Sequence, residues 1–256
     1  MAYRIPPSLG ILRFLFLSCK EATTLIQADS SNFRDEEVLF NALEFSAFEL
    51  LEEENILFEG WKDKKLFECA IAGRSEVAKK LKADTNGVGF CHAQGVKDVP
   101  KVSSLLEMAK RQWIVISDGD QTAIEHQKKY SWANGWLRYD ELTENEVIET
   151  SEDFFQASRV KKSLQQACKR HAITYPMDLD IPDSGKLKAI TKALKQSGVA
   201  EDVVRAVVSD VKDDLIDGVK LADLRDVYFE VMQNAIDKLK FQGSNNGAES
   251  HGEESK

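Results

Sequence analysis

Cysteine is scarce and scattered: Cys19, Cys69, Cys91 and Cys168 are the four in 256 residues, with no C-x-x-C pair and no histidine at zinc-finger spacing. That excludes a disulfide framework and a zinc module, and leaves reduced thiols of a cytoplasmic chain as the expectation. Positive charge is also in deficit, 34 Lys and Arg against 43 Asp and Glu, for a net charge of -9. The field of the whole chain repels a polyanion, so contact with nucleic acid must be local or supplied by a partner. Long apolar runs are missing, and nothing approaches the ~20 residues of a membrane-spanning helix. The stretch Ile11 to Cys19 imitates a signal sequence loosely, but Arg13 interrupts it and Pro6-Pro7 precede it, so neither secretion nor a membrane is expected. There is no internal repeat and no G-x-x-x-x-G-K-[ST] phosphate loop; Ser184-Gly185-Lys186-Leu187 lacks the earlier glycine and the hydroxyl.

What is present is a core-forming composition, 43% hydrophobic, arranged as strands alternating with helices. Residues 1–50 read as an irregular or partly helical leader followed by an amphipathic lead-in helix from Phe33 to Glu54. Asn55 to Phe58 is a short apolar strand ending at Glu59-Gly60, and helical periodicity runs from Lys62 to Lys82. The pattern repeats with Val88 to Cys91, a helix from Val99 to Lys110, then Trp113 to Ser117 closed by Asp118-Gly119-Asp120; Trp136 to Tyr139 supplies a further strand. Strands joined through helices imply a Rossmann-like α/β domain over 51–143, with a mainly parallel sheet flanked by helices. The region 144–241 reads as helical, and 242–256, rich in Gly, Asn, Ser and Glu, as a disordered tail.

In a parallel sheet the reactive groups gather at the carboxyl ends of the strands. Glu59 with Asp63, and Asp118 with Asp120, fall there. Carboxylates without Cys or His select Mg²⁺ or Mn²⁺, whose remaining positions are filled by water and phosphate oxygens. Metal-assisted phosphoryl transfer follows from that ligand chemistry. Taken singly, each aspartate also suits a helix cap. Trp61, Trp132 and Trp136 stand beside strands, where tryptophan usually packs core or rim, and no function is assigned to them.

The series of apolar strand, Glu59-Gly60, Asp63, and later strand with Asp118-Gly119-Asp120 resembles the Toprim domain. It is most similar to the nucleases of the overcoming-lysogenisation-defect family, from the lead-in at Glu36 to the helices near residue 240. The resemblance implies a Toprim-like fold and an Mg²⁺- or Mn²⁺-dependent endonuclease. Glu59 would be metal ligand or general acid/base, and Asp63, Asp118 and Asp120 metal ligands. A further ligand would come from Glu149, Glu152 or Asp153, with Glu152 preferred. A charge-stabilising lysine would come from Lys161, Lys162, Lys186 or Lys188, with Lys186 the least arbitrary. The family's ATPase half carries the phosphate loop that is missing here, so the resemblance implies either the nuclease subunit of a split system with a separate ATPase subunit or the back half of a longer ancestral gene, with nucleic acid as substrate and a role in phage defence. A homo-oligomer is open, as is the choice among DNA, RNA and tRNA.

Two rivals remain. Ile116-Ser117-Asp118-Gly119-Asp120-Gln121-Thr122 also resembles the D-x-D-x-T motif of haloacid-dehalogenase-type phosphatases, with Asp118 as nucleophile and Asp120 as acid/base, though it leaves Glu59 and Asp63 unexplained. A non-catalytic Toprim module, docking a partner through its C-terminal helices, is the other.

Overall fold

A computed structural model describes residues 13–19, 22–28, 52–130, 135–144, 146–177 and 179–249. The chain divides into two compact units, 1–51 and 52–256. In the first, β1 (Arg13–Cys19) and β2 (Ala22–Ala28) pair antiparallel, from Arg13 opposite Ala28 to Cys19 opposite Ala22. This corrects the irregular or helical leader expected for that stretch. Phe14 to Leu17 and Thr23 to Ile26 are aromatic, β-branched or apolar, the residue types that favour strands. The lead-in helix expected from Phe33 falls, up to Leu51, outside the described residues.

The second unit holds a four-stranded parallel sheet, β3 (Glu54–Phe58), β4 (Val88–His92), β5 (Gln112–Ser117) and β6 (Trp136–Arg138), in the order β4-β3-β5-β6. Both faces of its centre are covered, as parallel strands require. Ile56, Phe58, Ile114 and Ile116 enter the large core, while Leu57 and Val115, one step out of phase, are equally buried.

The crossovers are helical. Between β3 and β4 lie α1 (Trp61–Ile71) and α2 (Glu76–Asp84); α3 (Val99–Met108) precedes β5, and α4 (Gln121–Lys129) precedes β6. The single helix expected from Lys62 to Lys82 is thus two. The sequence marks the break: Gly73 lies so close to Leu221 that a Cβ there would stand 2.2 Å from that side chain. Ser75 then caps α2 by accepting the amide N–H of Ala78 at 3.1 Å.

Four further helices complete the unit among the described residues: α5 (Ala157–Arg170), α6 (Lys186–Gln196), α7 (Glu201–Ile216) and α8 (Asp226–Glu249). The last extends beyond Phe241, so residues 242–249 are helical where a disordered tail was expected; each added residue gains a backbone hydrogen bond once a helix is established. Val204, Val207, Val211 and Leu215 of α7, and Val160 and Leu164 of α5, are buried in the same core as the sheet residues Ile56 and Ile116. Tyr139, Phe154 and Tyr228 stack edge to face at centroid separations of 4.9 and 5.0 Å, tying the end of β6 to α8. No break in the core falls at 143/144, the boundary the sequence suggested. No helix among the described residues is long and apolar enough to cross a membrane.

Candidate metal centre

The connection leaving β3 leads to β4 on one side, and that leaving β5 leads to β6 on the other. Loops diverging in this way open a crevice at the carboxyl ends of the two strands. Glu59 follows β3 and Asp118 follows β5. Their backbones stay in register, with Glu59 N–H donating to Ile116 O at 2.9 Å, and the Asp118 N–H donates to Glu59 Oε2 at 3.2 Å.

A third segment closes over them. The Gly119 N–H donates to Glu149 O at 2.7 Å and the Ser151 N–H to Asp118 Oδ1 at 3.1 Å. Gly119 is needed because a Cβ there would meet Asp140 Oδ1 at 2.5 Å, and Asp140 is fixed by Arg138 Nε at 2.9 Å. The segment continues as a 3₁₀ turn, Ser151–Phe154, which carries Glu152. Asp63, on the first turn of α1, is bonded by the Ser151 side chain and by the Tyr139 hydroxyl at 3.4 Å.

Four carboxylates from three distant parts of the chain therefore share one crevice, and each charge is felt by its neighbours. Burial, then the Asp63 charge, lifts the Glu59 carboxyl to about 7, partly offset by the Asp118 N–H; Asp120 adds to the rise. Asp63 is raised by burial and Glu152, against the hydrogen bonds from Ser151 and Tyr139. Asp118 is raised well above the carboxylate range by burial and by Asp63, Glu152 and Glu59. One cation answers them: Lys212 of α7 sets its Nζ 3.2 Å from Glu152 Oε1. Burial works against the Lys212 charge, yet Glu152, Asp118 and Asp63 outweigh it and hold the ammonium above its ordinary value.

Lys212 was not among the lysines the sequence singled out. The available signal was position: Val204, Val208, Lys212 and Leu215 lie at helical spacing along one stripe of α7, an unusual place for lysine. Lys186, the lysine preferred from sequence, is fully buried and engaged elsewhere, with Nζ donating to Asp153 O at 2.9 Å and Asp183 O at 2.5 Å. Burial lowers its pKa to about 8. Lys188 pairs with Glu149 at 2.5 Å. Asp120 is exposed, and its Oδ1 caps α4 by accepting Ala123 N–H at 2.8 Å. Asp153, fully buried, is an organiser: Oδ2 accepts the amides of Glu149 and Thr150 at 3.0 and 3.3 Å, and Oδ1 that of Lys186 at 3.1 Å.

Among the described residues, no three carboxylate, thiol or imidazole groups gather closely enough to enclose an ion by themselves. Mg²⁺ does not require this, since it typically takes one or two carboxylates and fills the remainder with water and phosphate oxygens. Glu152 Oε2 is buried without a hydrogen-bond partner beside this crevice, an uncompensated acceptor of the kind a cation satisfies. The donor set, all oxygen with one flanking ammonium, is of the hard kind that suits Mg²⁺ or Mn²⁺.

No protein-family model matches the chain, and no curated protein does. Two solved structures do, both of the C-terminal region of the OLD protein of Xanthomonas campestris pv. campestris. One, phased with platinum, is 14% identical, covers 76% of this chain and 97% of its own, and has a TM-score of 0.40. The other, phased with iodine, is 13% identical, covers 75% and 98%, and has the same TM-score of 0.40.

Proposed function

We propose that the chain is a Toprim-type, Mg²⁺- or Mn²⁺-dependent nuclease that hydrolyses phosphodiester bonds. The observation that carries the reading is the convergence of Glu59, Asp63, Asp118 and Glu152 on one crevice, with Lys212 as the flanking cation. Such a cluster opposes folding until positive charge joins it, which is the signature of a site kept for binding rather than for stability. Glu152, Asp63 and Asp118 are the residues that would hold the metal. When bound, the ion would polarise the phosphate and lower the pKa of an attacking water. Glu59, at about 7, can release or accept a proton at neutral pH, which suits a general base or acid. Lys212, beside Glu152, would offset the negative charge that develops on a phosphate held there. A separate ATPase subunit and a part in phage defence belong to the same proposal, through the family resemblance.

The test uses labelled plasmid, single-stranded DNA and tRNA in Mg²⁺ or Mn²⁺, with the purified chain alone and with any ATPase encoded beside it. Glu59→Gln, Asp118→Asn and Lys212→Met should each lower cleavage by about 10²-fold or more while remaining folded. Hydrolysis of p-nitrophenyl phosphate without nucleic-acid cleavage would replace the reading with the phosphatase. Silence in both assays would leave the partner-docking module.

A further inference from the structure

Tryptophan exposes its ring at a cost, because it carries one of the largest apolar surfaces of any side chain. Trp113 and Trp136 follow the ordinary pattern and are 6% and 8% exposed, Trp136 also donating its indole N–H to Ser117 Oγ at 2.9 Å. Trp61 does not: half of its surface is in solvent. It opens α1, the helix whose first turn carries Asp63, two residues after Glu59, so its backbone lies at the crevice end of that helix. Lys62 and Lys65 hold their ammonium groups 5.8 and 5.7 Å from the ring centroid. In a chain of net charge -9, an exposed aromatic ring with two lysines beside it is a local exception.

An aromatic face with flanking cations matches one nucleotide chemistry, a base beside its phosphates. A base within a duplex has both faces covered by its neighbours, whereas an unpaired base has a face to offer. We propose, resting on the nuclease reading above, that Trp61 is a stacking platform for an unpaired base, with Lys62 and Lys65 taking the adjoining phosphates, so that this site receives single-stranded nucleic acid. The lysines, attracted to the indole in the free protein, turn to the phosphates when the base covers the ring. Lys62 also pairs with Asp213 of α7 at 2.6 Å, a part-exposed contact for which a phosphate would compete. Stacking is tolerant of base identity, so the platform selects strandedness rather than sequence. Single-stranded DNA and RNA offer the same chemistry here.

The test measures binding by fluorescence anisotropy with the full chain in Ca²⁺, using fluorescein-labelled dT12, U12 and a 12-base-pair duplex. Trp61→Ala should weaken single-strand binding about five- to hundredfold and leave duplex binding unchanged, and Trp61→Phe should retain most of the affinity. The half-exposed position makes loss of the fold a poor explanation for such a result, and a circular-dichroism melt of each variant checks it. A preference for dT12 over U12, or the reverse, names the source of the strand, and either supports the platform. No single-strand binding by the wild type, or equal binding by Trp61→Ala, overturns it. The two readings fail separately: cleavage with a silent Trp61→Ala removes the platform and keeps the nuclease. Strand binding through Trp61 without cleavage does the opposite.

Discussion

Burial, and then the carboxylates around it, raise the proton affinity of Glu59, and this makes the site a source of instability at neutral pH. Its pKa of about 7 exceeds the ordinary value of 4.5, so between those limits the folded chain holds a proton that the unfolded chain releases. The contribution of Glu59 to stability is complete below about 4.5 and is lost as pH rises through 7. Glu59→Gln keeps an acceptor for the Asp118 N–H and removes the charge. It should match the wild type near pH 4.5 and be more stable by about 1–3 kcal/mol at pH 8. Mg²⁺ or Mn²⁺ should raise the Tm of the wild type more than that of Asp118→Asn, because ligand binding stabilises only the form that binds. Thermal melts across pH, with and without metal, check both, and a destabilised Glu59→Gln at pH 8 would contradict the argument.

At the scale of elements, the 3₁₀ turn Ser151–Phe154 presents Glu152 only because buried polar groups fix it. Asp153 accepts three amide N–H bonds, from Glu149, Thr150 and Lys186. Lys186 and Arg225 both donate to the carbonyls of Asp153 and Asp183. Asp153→Ala leaves those three amides unpaired, the Lys186 amide buried and the other two part-buried, and a buried unpaired group costs about 1–3 kcal/mol. The variant should lose about 3–5 kcal/mol in denaturant unfolding, with Asp153→Asn in between. A loss below about 1 kcal/mol would show that the turn holds itself. Lys186→Met should be milder, since Arg225 still serves the same carbonyls. The long-range part of this network was not legible beforehand: Asp153 and Lys186 are 33 residues apart, and their meeting depends on how α6 docks. The strand ends were legible, because a buried parallel strand is a short apolar run and the residue after it must lie at the crevice. The same logic located Glu59 and Asp118. It could not find Lys212, whose place depends on the approach of α7 to the sheet. The two helices within 61–84 were marked in the sequence by Gly73 and Ser75, but the apolar periodicity that spans both conceals the break.

At the scale of the molecule, sheet and C-terminal helices behave as one body, and the crevice depends on it. Glu59 and Asp118 come from the sheet, Glu152 from the connection beyond β6, and Lys212 from α7, so the complete set exists only while all of these pack together. The apolar core is continuous across them, from Ile116 in β5 to Leu215 in α7, both fully buried. A chain organised as a sheet domain over 51–143 and a separate helical region would lose these parts in two steps. A single core predicts one step for 52–256. Ile116→Ala and Leu215→Ala should each cost about 2–5 kcal/mol. In hydrogen exchange near the unfolding midpoint, each should lower the protection of β5 and α7 together and by the same amount. Protection lost in α7 alone in Leu215→Ala, with β5 unchanged, would mean that the helices open independently of the sheet; the site would then be assembled and dismantled by the docking of α7, and Lys212 would be its moving part.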